Sequence, residues 1–136
     1  MNFTNKVVWI TGASSGIGKS LALALSKQRA FLILSSRNEA KLNDVKKACL
    51  HPENVKIILL DLEDYTNFYQ KVSEAINCFG KINVLINNAG ISQRSLVKDT
   101  SIEVDKRIMN INYLGTVALT KVMLPHFIEK NNGHFV

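Results

Sequence analysis

The chain has 136 residues, enough for one domain with a buried core, and its 46% hydrophobic and 21% charged residues exclude an intrinsically disordered protein. The 17 Lys and Arg against 11 Asp and Glu give a net charge of +6, but the basic residues are scattered, which argues against nucleic acid as a partner. No apolar run approaches the roughly 20 residues that span a bilayer, and residues 1–6 lack an apolar signal region. We therefore expect no membrane span and a cytoplasmic location.

The two cysteines and three histidines show no metal-ligand spacing. We expect reduced, packed thiols at Cys49 and Cys78. The histidines, His51, His126 and His134, are expected at the surface or at element boundaries. No metal site is predicted.

The first structural unit reads as a strand, a glycine turn and a helix. Residues 6–10 form a β-branched apolar run, and residues 19–28 have an amphipathic pattern. Between them, residues 11–18 read TGASSGIG, and such glycines permit a tight turn and close approach of a ligand to the backbone. Free amides at the helix start would bind a pyrophosphate. A Gly/Ser-rich turn joining any strand to any helix would look similar.

Residues 31–35 predict a second buried strand, and the turn before it lacks the usual helix-ending glycine, so Arg29 or a neighbour is expected to be strained. A helix over residues 38–50 follows, with Asn38 as its cap. Residues 55–60 predict the third strand. A helix from about residue 65 to residue 79 ends at Gly80, and its apolar stripe predicts core packing.

Residues 82–86 predict a fourth strand, followed by a polar loop and one long helix. Thr100 and Glu103 have the spacing of a capping box at its start. One apolar line is expected on the sheet, at Val104, Ile108, Ile111, Gly115, Ala118 and Val122. A second line at Met109, Tyr113, Val117, Thr120 and Leu124 predicts contact with other chain or a second subunit, so a homo-oligomer through residues 101–129 is expected. Pro125 should bend or end this helix, and residues 134–136 look like the start of a fifth strand.

The regular alternation of strands and helices predicts an α/β fold, a Rossmann-like doubly wound parallel sheet with helices on both faces and about five strands here. In such sheets ligands bind at the carboxyl ends of the strands. Residues 11–18, 36–37, 61–62 and 87–90 all fall at those ends. A chance glycine turn would not place four such segments together.

TGASSGIG and the segment Asn88-Ala89-Gly90 resemble the motifs of the short-chain dehydrogenase/reductase family, in its amino-terminal part. The resemblance implies an oxidoreductase that moves a hydride between a nicotinamide cofactor and a small carbonyl or alcohol substrate. It implies contacts with the pyrophosphate, the adenine and the nicotinamide-side ribose. The residues implied are Gly12, Ser14, Ser15, Gly16, Ile17 and Gly18 for the pyrophosphate, Asp61 and Leu62 for the adenine, and Asn88, Ala89 and Gly90 for the ribose.

The end of the second strand bears on which cofactor is bound. Folds that prefer NAD usually carry an acidic residue there, whereas this chain has Ser36 and Arg37. A hydroxyl and a guanidinium would bind a 2′-phosphate, so NADP(H) is predicted over NAD(H). An exposed arginine in a turn is the alternative interpretation.

The resemblance also implies one catalytic residue here, Asn112, in a helix that is interrupted locally so that its backbone carbonyl can hold a water in the proton relay. The family's Tyr-x-x-x-Lys motif is missing, since Tyr65, Tyr69 and Tyr113 are followed four residues later by Tyr, Ser and Val. The family's serine follows the fifth strand. Residues 1–136 are thus expected to form an NADP(H)-binding Rossmann domain that stops before these groups and is inactive alone. A non-catalytic binding module or an inactive truncated product is the alternative.

Overall fold

A computed structural model describes residues 2–136, and it contains five parallel strands in the order β3-β2-β1-β4-β5. The strands are β1 Val7–Thr11, β2 Phe31–Ser36, β3 Val55–Leu59, β4 Val84–Ile86 and β5 His134–Phe135. The helices are α1 Gly16–Lys27, α2 Glu39–Ala48, α3 Phe68–Phe79, α4 Ile102–Met109 and α5 Thr116–Glu129, with a π segment, Asn110–Gly115, between the last two. The Rossmann-like α/β prediction is confirmed. Within residues 2–136 no helix is long and apolar enough to cross a membrane.

The core lies on both faces of the sheet because its central strand is buried on both sides. Every residue of β1 is buried, and successive side chains point to opposite faces. Val7 and Trp9 pack with α3 and α5, whereas Val8 and Ile10 pack with α1 and α2. Each helix therefore covers a defined side, and the carboxyl ends of the strands stay open between the two layers.

Several local features were predicted from single residues. Arg29, which replaces the usual glycine after α1, has a φ of 57°, the strain that the sequence predicts. The side chain of Asn38 caps α2 by accepting the Lys41 N–H at 2.9 Å. Gly80 ends α3 in the left-handed conformation. These three positions confirm that local chemistry sets the helix boundaries.

The long carboxyl-terminal helix differs from its prediction at its start and at Pro125. Thr100 is not its cap, because the Thr100 hydroxyl donates to the Leu96 carbonyl and closes a short 3-10 turn, leaving Ser101 as the N-cap. Pro125 does not end α5, which continues to Glu129. The capping-box spacing at Thr100 and Glu103 therefore arises without a capping box.

The buried face of this helix also differs from the predicted line. The fully buried residues are Ile111, Gly115, Leu119, Met123, His126 and Phe127, whereas Ala118 and Val122 are only partly buried. The cause is the π segment, in which the backbone hydrogen bonds reach five residues instead of four. This rotates the later turns relative to a continuous α-helix.

His126 is buried, contrary to the prediction of a surface or boundary position. Its Nε2 accepts the backbone N–H of Ile82 at 3.3 Å, at the entrance to β4. The pKa of His126 is lowered, mainly because the ring is buried and also because of the nearby positive charge of Lys130. Because the neutral ring is the hydrogen-bond acceptor, protonation would remove the bond that ties α5 to the sheet.

We expect the chain to lose stability as the pH falls below about 6.5, the ordinary imidazole pKa. With its pKa lowered by folding, His126 binds fewer protons in the folded state than in the unfolded chain. Its contribution is therefore complete above that pH and decreases toward the folded-state pKa. Urea unfolding followed through Trp9 fluorescence at a series of pH values measures this loss.

The variant His126→Gln should show a weaker pH dependence than the parent chain, because an amide does not titrate in this range. His134→Gln, at an exposed position of β5, controls for the removal of a histidine as such. An identical pH dependence of unfolding in the parent chain and His126→Gln would contradict this role.

Candidate cofactor site

A cleft of about 520 Å³ lies at the carboxyl ends of β1, β2, β3 and β4. Every residue predicted to contact the cofactor lines it except Gly18. The predicted residues in the lining are Gly12, Ser14, Ser15, Gly16, Ile17, Ser36, Arg37, Asp61, Leu62, Asn88, Ala89 and Gly90. The four segments that the sequence placed at the strand ends therefore form one site.

The three glycines of the first turn, Gly12, Gly16 and Gly18, have different structural roles. A Cβ on Gly12 would lie 2.7 Å from the Ala89 Cα, and one on Gly18 would lie 2.5 Å from the Gly12 carbonyl oxygen. Both glycines thus allow backbone to pack against backbone, and Gly18 is buried beneath the cleft rather than lining it. Gly16 has a φ of 53° with no atom within 4 Å of a Cβ there, so it faces open space.

Thr11 ties this turn to the segment after β4. Its hydroxyl accepts the backbone N–H of Asn88 at 3.0 Å and that of Ala89 at 3.1 Å, and the Asn88 side chain donates back to the Thr11 carbonyl at 3.0 Å. Sequence reasoning missed Thr11 as a functional residue. The available signal was a buried hydroxyl at the end of a central strand, which requires a polar partner.

The start of α1 fits a pyrophosphate. Its N-cap, Ser15, makes no side-chain cap hydrogen bond, and no acidic residue lies in the first turn. The first amides and the positive end of the helix dipole therefore face the cleft without a competing carboxylate. Ile17, 73% exposed at the cleft edge, is a large apolar side chain with no protein partner burying it.

The end of β2 fits an additional phosphate. The Ser36 hydroxyl accepts the Asn38 N–H at 3.1 Å, which fixes the turn. Arg37 is exposed and forms no ion pair or side-chain hydrogen bond with any of residues 2–136. Across the cleft, an Asp61 carboxylate oxygen accepts the Glu63 N–H at 3.0 Å, which orients that side chain.

Asn112 lies beside the cleft and not in its lining. Its side-chain amide forms two hydrogen bonds of 2.8 Å with the backbone of Ile91, accepting the N–H and donating to the carbonyl. It sits in the π segment Asn110–Gly115, so the local interruption expected of its helix is present. Ile91 and Ile111 line the cleft, and sequence reasoning missed both, because Ile91 was assigned to the polar loop after the fourth strand and Ile111 to the apolar line on the sheet.

The model of the short chain dehydrogenase family matches residues 6–136. The chain belongs to the short-chain dehydrogenase/reductase family. It is 47% identical over 138 residues to dehydrogenase/reductase SDR family member 7 of Mus musculus, covering 98% of this chain and 41% of that protein. The corresponding human protein is 46% identical with the same coverage. Both of these relatives are of the member 7 type within the family.

Solved structures of the family agree in fold. A short-chain dehydrogenase from Streptomyces avermitilis has a TM-score of 0.87 at 28% identity, with 99% of this chain and 49% of that chain covered. Levodione reductase has a TM-score of 0.90 at 27% identity, with 98% and 53% covered. The chain thus spans about two fifths of its curated relatives and about half of these structures. The family binds nicotinamide dinucleotides, and the cleft described above fits such a ligand.

We expect Gly18→Ala to destabilise the fold much more than Gly16→Ala. The new methyl group at position 18 would meet backbone at 2.5 Å, whereas position 16 has free space and only a left-handed φ to oppose alanine, at a cost of about 1–2 kcal/mol. Urea unfolding of the two variants measures the difference. Equal midpoints would show that the packing of Gly18 against Gly12 does not limit stability.

Proposed function

We propose that this chain is the cofactor-binding part of an NADP(H)-dependent oxidoreductase that acts on a small carbonyl or alcohol substrate. The observation that carries the proposal is one cleft in which the start of α1, without a side-chain cap hydrogen bond, the exposed Arg37 and the Asn88 segment meet. When bound, the cofactor supplies hydride transfer between its nicotinamide and the substrate carbon. The residues of this chain bind and orient the cofactor and hold or move protons.

The preference for NADP(H) rests on the charges at the end of β2. A 2′-phosphate needs donors and a positive charge, and a carboxylate at this place would repel it. Arg37 supplies an exposed guanidinium at the cleft, and Ser36 supplies a hydroxyl beside it. We assign both to the 2′-phosphate.

The remaining cleft residues contact different parts of the cofactor. The amides of residues 14–17, with Gly12 and the buried Gly18 supporting them, hold the pyrophosphate, while Asp61 and Leu62 contact the adenine. Asn88, Ala89 and Gly90 line the nicotinamide-side ribose, and the two backbone hydrogen bonds that the Thr11 hydroxyl accepts hold that segment in place.

Asn112 is the catalytic residue that we assign within this chain. Its side chain is occupied by Ile91, so the group available for chemistry is its backbone carbonyl in the widened π turn. We propose that this carbonyl holds a water of the proton relay. Since no tyrosine here is followed by lysine four residues later, we also propose that residues 1–136 do not turn over a carbonyl substrate by themselves.

We also propose a reducing, cytoplasmic location. The free thiols of Cys49 and Cys78 support it.

The alternative of a purely binding module is less well supported, because a module that only bound the nucleotide would not require the interrupted helix at Asn112.

Arg37→Ala should weaken NADPH binding roughly 10- to 100-fold and leave NADH binding unchanged, since it removes charge-assisted hydrogen bonds that only the 2′-phosphate can accept. Fluorescence titration of the chain with each reduced cofactor measures both affinities. Arg29→Ala is the matched control, because Arg29 lies at the opposite end of β2. Equal affinity of the parent chain for NADPH and NADH would contradict the NADP(H) assignment.

We also propose a homo-oligomer through the outer line of α4, the π segment and α5. Met109, Tyr113 and Leu124 are 56%, 57% and 42% exposed along it. Tyr113→Lys in the whole protein should convert an oligomer into monomers, because a charge is costly in an apolar interface. Light scattering with size-exclusion chromatography measures this, with Tyr69→Lys on exposed α3 as the control. A monomeric parent protein would contradict the proposal.

A further inference from the structure

The turn between β3 and α3 touches the interrupted helix at three places. The Glu63 carboxylate pairs with the Arg107 guanidinium, with Nε at 3.1 Å and Nη2 at 3.2 Å from its two oxygens. The Leu62 carbonyl packs so closely on Gly115 that a Cβ there would lie 2.4 Å away. Between these contacts, Tyr65 bonds to Asn110. The three contacts lie before, at the start of and at the end of the π segment Asn110–Gly115.

Tyr65 makes the contact at the start of that segment. Its hydroxyl donates to the backbone carbonyl of Asn110 at 2.9 Å and also touches the side-chain oxygen of the same residue. The ring packs edge-on against Phe68, with centroids 5.7 Å apart, and is half-buried. Burial, with a smaller contribution from Glu63, raises the pKa of Tyr65, so the hydroxyl keeps its proton and remains a donor.

This hydrogen bond matters because a π turn is less favourable than the α-helix on either side of it. The segment replaces the regular i to i−4 hydrogen bonds, and the Tyr65 hydroxyl adds a donor from outside the helix at the Asn110 carbonyl. Asn110 is the first residue of the segment, and Asn112 follows two positions later. The register of the π turn decides whether the Asn112 amide meets the Ile91 backbone with both of its hydrogen bonds.

We propose that Tyr65 is a positioning residue for Asn112, acting through the Asn110 carbonyl to hold the π turn in its register. Its importance for catalysis rests on the proposed function of Asn112. The same turn carries Asp61 and Leu62, which line the cleft, whereas Tyr65 itself does not line it.

Tyr65→Phe tests this, because it keeps the ring and its packing on Phe68 and removes only the hydroxyl. Without cofactor, amide hydrogen exchange of the chain should be roughly three- to tenfold faster at the Ile91 N–H and within residues 110–115, the effect of losing one hydrogen bond. Amides of α2, on the opposite face of the sheet, that exchange through local openings which leave the Tyr65 hydrogen bond intact should be unchanged. Tyr69→Phe, which removes a hydroxyl from a 77% exposed ring on α3, is the matched control.

In the whole protein, Tyr65→Phe should lower kcat and leave the KM for NADPH unchanged, since it does not touch the cofactor cleft. Exchange at Ile91 no faster than in Tyr69→Phe, or an equal acceleration at those locally opening α2 amides, overturns the proposal. So does a rise in KM with an unchanged kcat. A parent protein without reductase activity would refute the proposed function and leave the exchange result intact.

If Tyr65→Phe does not fold, the proposal is tested on the parent chain by NMR. The Tyr65 hydroxyl proton should be visible by NMR, exchange slowly with water and show a contact to the backbone around Asn110. A hydroxyl proton that exchanges as fast as that of Tyr69 overturns the proposal.

Discussion

The close contact between two strand-end turns is the constraint on which the rest of the molecule depends. The turn after β1 and the segment after β4 approach until the Gly12 and Ala89 backbones touch, and Thr11 and Asn88 exchange hydrogen bonds across the gap. A larger residue at position 12 would separate the turns, and an apolar residue at position 11 would leave two backbone amides without their acceptor. The cleft has its shape because these two segments cannot move apart.

The electrostatics of the cleft follow from which side chains are engaged and which are not. The Asp61 carboxylate accepts a backbone N–H, whereas among residues 2–136 the Arg37 guanidinium has no ion-pair or hydrogen-bond partner and the Ser15 side chain does not cap the first amides of α1. A ligand with negative charge at two separated points suits this arrangement. The net charge of +6 alone did not indicate such a ligand, since most basic side chains are spread over the outer surface.

Sequence patterns predicted the strands, their order along the chain and almost all of the cleft, because buried β-branched runs and turn residues act locally. The same reasoning predicted the strain at Arg29 and the cap at Asn38. It was wrong about the Thr100 cap, where a hydroxyl that could cap a helix is used by the Leu96 carbonyl instead. It also placed His126 at the surface or at an element boundary. Nothing in the sequence around a lone histidine in an apolar helix indicates that its ring accepts a hydrogen bond from the backbone N–H of Ile82.

The buried line of α5 was mispredicted for a different reason. Apolar spacing assumes one helical period, and the π segment changes that period at a place defined by tertiary contacts with Leu62, Glu63 and Tyr65. Family resemblance indicated an interruption near Asn112, but the rotation of the later turns could not be read from periodicity. Leu119 and Met123, which lie on neither predicted line, are fully buried.

The strand order has a consequence for how the protein is made. Strands β1, β2 and β3 are neighbours both in sequence and in the sheet, so a nascent chain can pair them once residue 59 has emerged from the ribosome. Strand β4 then joins the other side of β1 and brings Asn88 to Thr11. During synthesis, a three-stranded intermediate therefore has the glycine turn and no opposing wall. A nucleotide can act as a folding ligand only after β4 is in place.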